Sequence, residues 1–470
     1  MEDQVEKLKN SNTWDKFRFL AKDSFVYGGL SALTKFFSIF LTPVLTGFLA
    51  KEEYGNMDIL NPILATSATI IVFGMDSAVA RFYYNTDDVV QRKLVVSNAF
   101  WTQIVVSGLI LILLFLFKEE FLSLYLGVSN NNKQAGILFI LMILIFFTTP
   151  IRFAQNLLRW TFKRKQFLIL SIGFILVNFI SIILSVKFMQ DKLEAVYLGQ
   201  VIPSVVFALL SLFFLRPHLV FKIETRLLRK MLIYGIPLVI VAFIPALVPA
   251  IDRYVINKHL GLEDVANYGI GYRIASFVGI PILSINTALG PFILSLYKEK
   301  DAERIFNLIL NAVIIVISTL IMIISIMSPL FLNILASKDF SEGLLVVAPL
   351  CFYLLVEMQR TISSVGIDLS MKTYWNLILY PLSTIILYII LEILTPRFGI
   401  FGAANALMIS GIINYILFTI VGIRLFPIKY NLGDKILVML LAYGICLLNQ
   451  FYLSDTALQG ILAFLNSLFF

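Results

Sequence analysis

The stretch "VVSGLILILLFLF", Val105 to Phe117, offers water almost nothing but one serine. Stretches like it return along nearly the whole chain, and they constrain the fold more than any motif does. A helix needs about 20 mainly apolar residues to cross a ~30 Å hydrocarbon core. Runs of that kind fall at about 24–48, 57–80, 94–117, 136–158, 166–186, 194–215, 232–251, 265–292, 304–327, 343–366, 373–394, 399–423, 433–451 and 455–470. They make about fourteen expected spans, the last being the shortest. The chain reads as an all-α polytopic membrane protein.

Composition agrees. The chain is 59% hydrophobic and 14% charged, where a soluble globular chain is about a quarter charged. The net charge of +8 does not call for nucleic acid, because in a membrane protein lysine and arginine gather in cytoplasmic loops. With the N-terminus inside, that side receives "RFYYNTDDVVQRK", "RWTFKRK", "RPHLVFKIETRLLRK", "YKEKDAER" and "RLFPIKYNLGDK". The other side receives "LAKEEYG", "KEEFLSLYLGVSNNNK" and "ASKDFSEG", which are short or acidic. The basic residues fall mostly inside. The apolar run after the polar N-terminal segment is too long for a signal-peptide core and has no obvious small-residue cleavage site, so it reads as a first span that stays attached. His218 and His259 lie far apart, and Cys351 and Cys446 sit in apolar runs. None of them suggests a metal site, which needs clustered ligands, and no cofactor is expected. No loop is long enough to form an enzyme domain, so the chemistry must lie in the membrane.

Two stretches echo each other. Leu49 to Asn56 reads "LAKEEYGN" and Leu260 to Asn267 reads "LGLEDVAN". Both fit leucine, two variable residues, glutamate, an acid, an apolar residue, a small residue and asparagine. Upstream, "YGG" at Tyr27 and "YGI" at Tyr234 open the preceding spans at a similar separation. The order suggests two related halves, spans one to six matching spans seven to twelve. Six crossings return the chain to its starting side, so the repeats are parallel, as in one class of secondary transporter. The expected organisation is a cytoplasmic segment 1–23, a first bundle 24–215, a cytoplasmic linker 216–231, a second bundle 232–426 and a C-terminal helix pair 427–470.

These repeats carry a resemblance. "FLTPVLTGFLAKEEYGNMDIL" followed by "GMDSAVARFYY" resembles the opening of bacterial polysaccharide-biosynthesis flippases. "AIDRYVINKHLGLEDVANYGIGYRIAS" is similar to the start of their second half. Their superfamily also holds the lipid II flippases and the multidrug/cation antiporters. The resemblance implies two six-helix bundles facing each other in a V around a central cavity. It implies export of a polyprenyl-diphosphate-linked oligosaccharide across the bacterial cytoplasmic membrane, with a polysaccharide polymerase and other assembly proteins as partners.

Ionisable residues inside spans are functional candidates by default. Arg273 lies in span eight, and Gly269 and Ser276 share its face at i−4 and i+3, which would leave room for a ligand. The resemblance adds that lipid II flippases carry a functional arginine in this span. The alternative is a structural arginine, snorkelling to the outer interface or paired with Asp252. Span four carries "FTTPIRFAQNLLRW", where Thr148, Arg152, Asn156 and Arg159 form one polar stripe. Arg152 and Asn156 read either as a cavity wall or as the cytoplasmic end. In span ten, Glu357 and Arg360 sit at i and i+3 and can pair. Lys35 lies near the middle of span one, too deep to snorkel. Asp76 and Arg81 near the inner end of span two read as a clamp between spans, and Asp252 with Arg253 as an outer-end clamp or gate. Tyr268 and Tyr272 flank Arg273, where they could stack on sugar rings.

Lys35, Arg152, Arg273 and Arg360 come from four spans and could converge on one cavity. Guanidinium groups bind diphosphate oxygens bidentately, while Asn156, Gln155 and Tyr268 would meet sugar hydroxyls. Asp76 and Glu357 are the candidates for cation or proton coupling. A multidrug/cation antiporter should place acids where Lys35 stands. A lipid II flippase should carry an upper arginine in span two, which is missing here. A membrane glycosyltransferase should have a larger outer loop or catalytic acids.

Overall fold

A computed structural model describes residues 30, 33–34, 36–126, 132–282, 285, 302–426 and 433–448. Among these the chain is helical, with no strand. Nine helices among the described residues are long and apolar enough to cross a membrane. Helical residues occupy thirteen of the fourteen expected spans, and the last, 455–470, lies outside the described residues.

The helices are α1 (Phe36–Phe48), α2 (Lys51–Val72), α3 (Met75–Tyr83), α4 (Val89–Leu116), α5 (Lys118–Leu126), α6 (Asn132–Trp160), α7 (Arg164–Phe188), α8 (Lys192–Leu215) and α9 (Thr225–His259). They continue with α10 (Leu262–Ala275), α11 (Ala302–Leu335), α12 (Val347–Ser363), α13 (Val365–Leu369), α14 (Asn376–Leu425) and α15 (Gly433–Leu448). Several outrun the expected spans. The seventh was expected over 232–251, and α9 runs from Thr225 to His259. Its flanks "TRLLRK" and "DRYVINKH" are polar, so they continue a helix that hydropathy ends early.

Two expected spans merge. α14 covers both 373–394 and 399–423, with a non-helical residue at Gly399 (φ 60°). It folds back there as an antiparallel pair. Ser383 Oγ donates to Asn414 Oδ1 at 2.7 Å, and the Tyr380 and Phe418 rings pack 5.0 Å apart. Span two breaks instead. α2 ends at Val72, Phe73 and Gly74 take positive φ, and α3 restarts the helix. A Cβ on Gly74 would stand 2.3 Å from the Gly235 carbonyl oxygen. Glycine is required there for both the left-handed conformation and the close crossing.

The chain forms two compact units. The first comprises the described residues up to Phe48 together with Leu60–Ala246; the second comprises Leu49–Ile59 and Leu247 onward. The cuts fall inside two helices, α2 and α9. In the first unit the linker is fastened to α4: the Glu224 N–H donates to Asn98 Oδ1 at 3.1 Å, and the Val220 N–H donates to Ser97 Oγ at 2.8 Å. That unit's core gathers Met75, Phe100, Ile151, Phe153, Leu158 and Phe207, all buried. In the second unit α15 joins the core: Tyr443 donates to Asn405 Oδ1 at 3.0 Å, and Met439, Ala442 and Cys446 are buried. Large apolar side chains such as Leu109, Phe115, Ile202 and Phe213 face outward, as a lipid solvent requires. Some buried hydroxyls donate back into their own helix, Ser211 to Phe207 O at 2.6 Å and Thr149 to Ile145 O at 2.8 Å, which satisfies donors that hydrocarbon cannot.

Candidate functional site

The first unit encloses a cavity of about 170 Å³ among α2, α4, α6, α7 and α8. Arg152 reaches it from α6, Gln103 from α4, Asn178 from α7, and Gln200 and Ser204 from α8. Arg152 is exposed and has no carboxylate within 4.0 Å among the described residues. Beside it runs a polar chain. The Asp76 carboxylate accepts from Gln103 Nε2 at 3.2 Å and from Asn156 Nδ2. Arg159 Nη2 in turn donates to Asn156 Oδ1 at 3.1 Å. The i, i+4 and i, i+7 spacing of Arg152, Asn156 and Arg159 on one helix, with Asp76 at the restart after Gly74, brings these groups together. Arg81 stands apart from them, over the Tyr234 ring at 4.6 Å.

The second unit holds a different cluster. Arg253 Nη1 donates to both oxygens of Asp252 at 3.0 Å, and its Nε donates to Asp58 Oδ2 at 3.0 Å. Tyr268 donates to Asp252 Oδ2 at 3.1 Å. Arg253 is 4% exposed and Asp252 and Tyr268 are 0% exposed. The Tyr268 ring has no exposed face, and its hydroxyl serves Asp252. The room expected beside Arg273 is also taken. A Cβ on Gly269 would stand 2.6 Å from Asp58 Oδ2, so this glycine accommodates a carboxylate. Ser276 donates to the Arg273 carbonyl at 2.7 Å. Asp252 pairs with Arg253, not with Arg273, whose guanidinium lies over the Tyr54 ring at 5.1 Å.

The two echoing stretches meet in this unit. A Cβ on Gly55 would stand 2.0 Å from the Leu262 carbonyl oxygen, so "LAKEEYGN" crosses "LGLEDVAN" where Gly55 meets the Leu262 backbone. Further along, Arg360 pairs with Glu357 at 3.0 Å and lies over the Phe418 ring at 4.9 Å. Asn414 Nδ2 donates to the second Glu357 oxygen at 3.2 Å. Lys35 lies outside the described residues.

Sequence reasoning missed Asp58, which sits at the edge of an expected span, and Gln103, Asn178, Gln200 and Ser204. Gln103, Asn178 and Gln200 are amides in mainly apolar runs, "WTQIVV", "LVNFI" and "LGQVIPS", the last of which also holds Ser204. Such interruptions are themselves the signal, because an amide in hydrocarbon needs a partner. Among the described residues no group of three or more His, Cys, Asp or Glu side chains could hold a metal ion.

The helical architecture recurs in solved structures of membrane transporters. The structure matches lipid II flippase MurJ in an inward closed conformation, with a TM-score of 0.68, 16% identity, 95% of this chain and 99% of that one covered. It also matches an inward-facing multidrug resistance MATE family transporter of the MOP superfamily, with a TM-score of 0.67, 16% identity, and 85% and 94% covered. At these identities the likeness is one of fold. In sequence the chain is 23% identical over 287 residues to Lsg locus putative protein 1 of Haemophilus influenzae, covering 59% of this chain and 67% of that protein. Residues 20–297 match the model of the polysaccharide biosynthesis protein family. The chain belongs to that family and, with its long apolar helices, is a multi-pass membrane protein.

Proposed function

We propose that this protein is a flippase for a polyprenyl-diphosphate-linked oligosaccharide, moving it from the inner to the outer leaflet of the bacterial cytoplasmic membrane with the N-terminus inside. The observation that carries this reading is Arg152, a guanidinium in a polar cavity with no carboxylate within 4.0 Å among the described residues. A fixed positive charge in a membrane span is costly, and an anionic substrate offsets that cost. Arg273 and Lys35 supply further positive charge, and Arg360 is already paired with Glu357. The family and the fold support the transporter class.

The reading is alternating access. Arginines hold the anionic headgroup, the glycan enters the polar interior, and the prenyl tail stays in lipid. Outward movement of negative charge follows an inside-negative potential, worth about 2.3 kcal/mol per charge per 100 mV. Asp76, tied to Gln103 and Asn156, and Glu357 are the residues through which protons or cations would couple. Asp252 and Arg253, fixed to Asp58, act as an outer-end clamp. A polymerase would consume the exported repeat unit.

The test is made in cells. In Arg152→Ala or Arg273→Ala strains, lipid-linked repeat units should accumulate on the inner leaflet while surface polymer is lost. Normal surface polymer in both would overturn the assignment. Collapsing the potential in proteoliposomes with proton and sodium gradients clamped should slow flipping; unchanged flipping would exclude the potential as driver.

A further inference from the structure

The linker of the first unit runs along one face of α4. Lys93, Ser97 and Trp101 follow one another there at i, i+4 and i+8, about 12 Å of helix. The charge of Lys93 acts on the His218 ring, Ser97 accepts from the Val220 N–H, and the Trp101 and Phe221 rings pack 5.4 Å apart. Asn98 adds a second hold, because its amide pairs both ways with the Glu224 backbone, accepting at 3.1 Å and donating at 3.3 Å. The segment is thus fastened, yet Phe221 is 95% exposed and Ile223 is 51% exposed. A pinned backbone that holds a phenylalanine outward presents it to something apolar.

The other end of the same face is cationic. Lys163 Nζ lies 2.6 Å from His218 Nε2. An ammonium only donates, so the imidazole is neutral, accepts through Nε2 and carries its proton on Nδ1. Among the described residues no carboxylate lies within 4.0 Å of Lys93, Lys163 or His218. Lysines without a counter-ion, beside an imidazole N–H, call for an anion. A lysine is a point charge and lacks the fork that grips phosphate oxygens in pairs, so a singly charged phosphodiester fits better than a diphosphate. The order along α4 decides its source. Free phosphate uses the cations and has nothing for Phe221. A phospholipid sets its headgroup on the cations and its chains about two turns further along, on Phe221 and Trp101. Tryptophan is at home at such a membrane–water interface. A zwitterionic headgroup would bring its own ammonium against the lysines.

We infer that α4, the α6–α7 turn and the linker together bind one anionic phospholipid, its phosphodiester on Lys93, Lys163 and His218 and its acyl chains against Phe221 and Trp101. The site is independent of the transported substrate. Its leaflet rests on the orientation proposed above, which makes it the inner one.

Lipid retention is read by native mass spectrometry on the full chain, released from nanodiscs of phosphatidylglycerol and phosphatidylcholine in equal parts. The tightest-bound lipid should be phosphatidylglycerol, preferred roughly tenfold or more, since each lysine near an anionic lipid is worth about fivefold in affinity. Lys93→Gln combined with Lys163→Gln should abolish that preference, and Lys93→Arg combined with Lys163→Arg should keep it. Phe221→Ser should weaken both lipids together and leave the preference in place. Equal retention of the two lipids, a preference unchanged in the glutamine variant or lost in the arginine one, or displacement by inorganic phosphate or by undecaprenyl diphosphate overturns the site. The leaflet is read separately, by labelling Lys222→Cys with an impermeant maleimide. Labelling in inside-out and not in right-side-out vesicles supports the inner leaflet; the reverse pattern leaves the lipid site standing and removes the proposed orientation.

Discussion

Arg152 and Arg253 both lie in helices long and apolar enough to cross a membrane, and they have opposite surroundings. Arg253 is 4% exposed and is held between Asp252 and Asp58 at 3.0 Å. Arg152 is exposed and borders a cavity lined by amides and hydroxyls. The depth of an arginine in a span therefore does not separate a structural charge from one that waits for a ligand. Its partners do. A guanidinium with two carboxylates is finished; one that faces acceptors is not.

The largest expected effect comes from the finished cluster. Arg253→Ala leaves two buried carboxylates unpaired and should destabilise the protein by about 3–5 kcal/mol, read as loss of folded material in thermal melts. Replacing Arg253, Asp252 and Asp58 together with apolar residues of similar volume should recover most of that loss, because an apolar replacement leaves no charge behind. A triple variant as unstable as the single one would break the comparison.

Gly269→Ala should cost less, about 1–3 kcal/mol by overpacking against the Asp58 carboxylate. In an Asp58→Ala background the penalty should shrink, since the clashing atoms are gone. An unchanged penalty would show that Gly269 serves something other than Asp58.

Glu357 and Arg360 form an intermediate case, paired but with side chains 24% and 12% exposed. A double-mutant cycle of Glu357→Ala and Arg360→Ala should give a coupling of about 0.5–3 kcal/mol. Zero coupling would move Arg360 toward the class of Arg152. The smallest stability change belongs to Arg152→Ala, expected within about 0.5 kcal/mol because no ion pair is lost.

What the sequence makes legible follows from which forces are local. Hydropathy locates thirteen of the spans on helical residues, because crossing hydrocarbon demands a continuous apolar run. It misses the ends of α9, whose polar flanks are helical for other reasons, and the merging of two spans through Gly399. The echo of "LAKEEYGN" in "LGLEDVAN" is legible as a repeat. That the two stretches touch through Gly55 and Leu262 is not, since a contact across two hundred residues leaves no local mark. The same limit governs the sites. Arg152, Asp76, Asp252 and Arg253 stand out as charges in apolar runs. Asp58, which completes the Arg253 cluster, and Ser204, which completes the Arg152 cavity, become visible only through their neighbours. The position of Tyr268 near Arg273 in sequence likewise says nothing of its hydroxyl bond to Asp252.

The central claim is that Arg152 serves a ligand and not the fold. It is tested by reconstituting Arg152→Ala in proteoliposomes and measuring, on one preparation, the melting temperature and the transfer of a lipid-linked oligosaccharide between leaflets. The account predicts a melting temperature close to that of the unaltered protein with transfer lost. Normal transfer, or a protein that melts as early as Arg253→Ala, would contradict it.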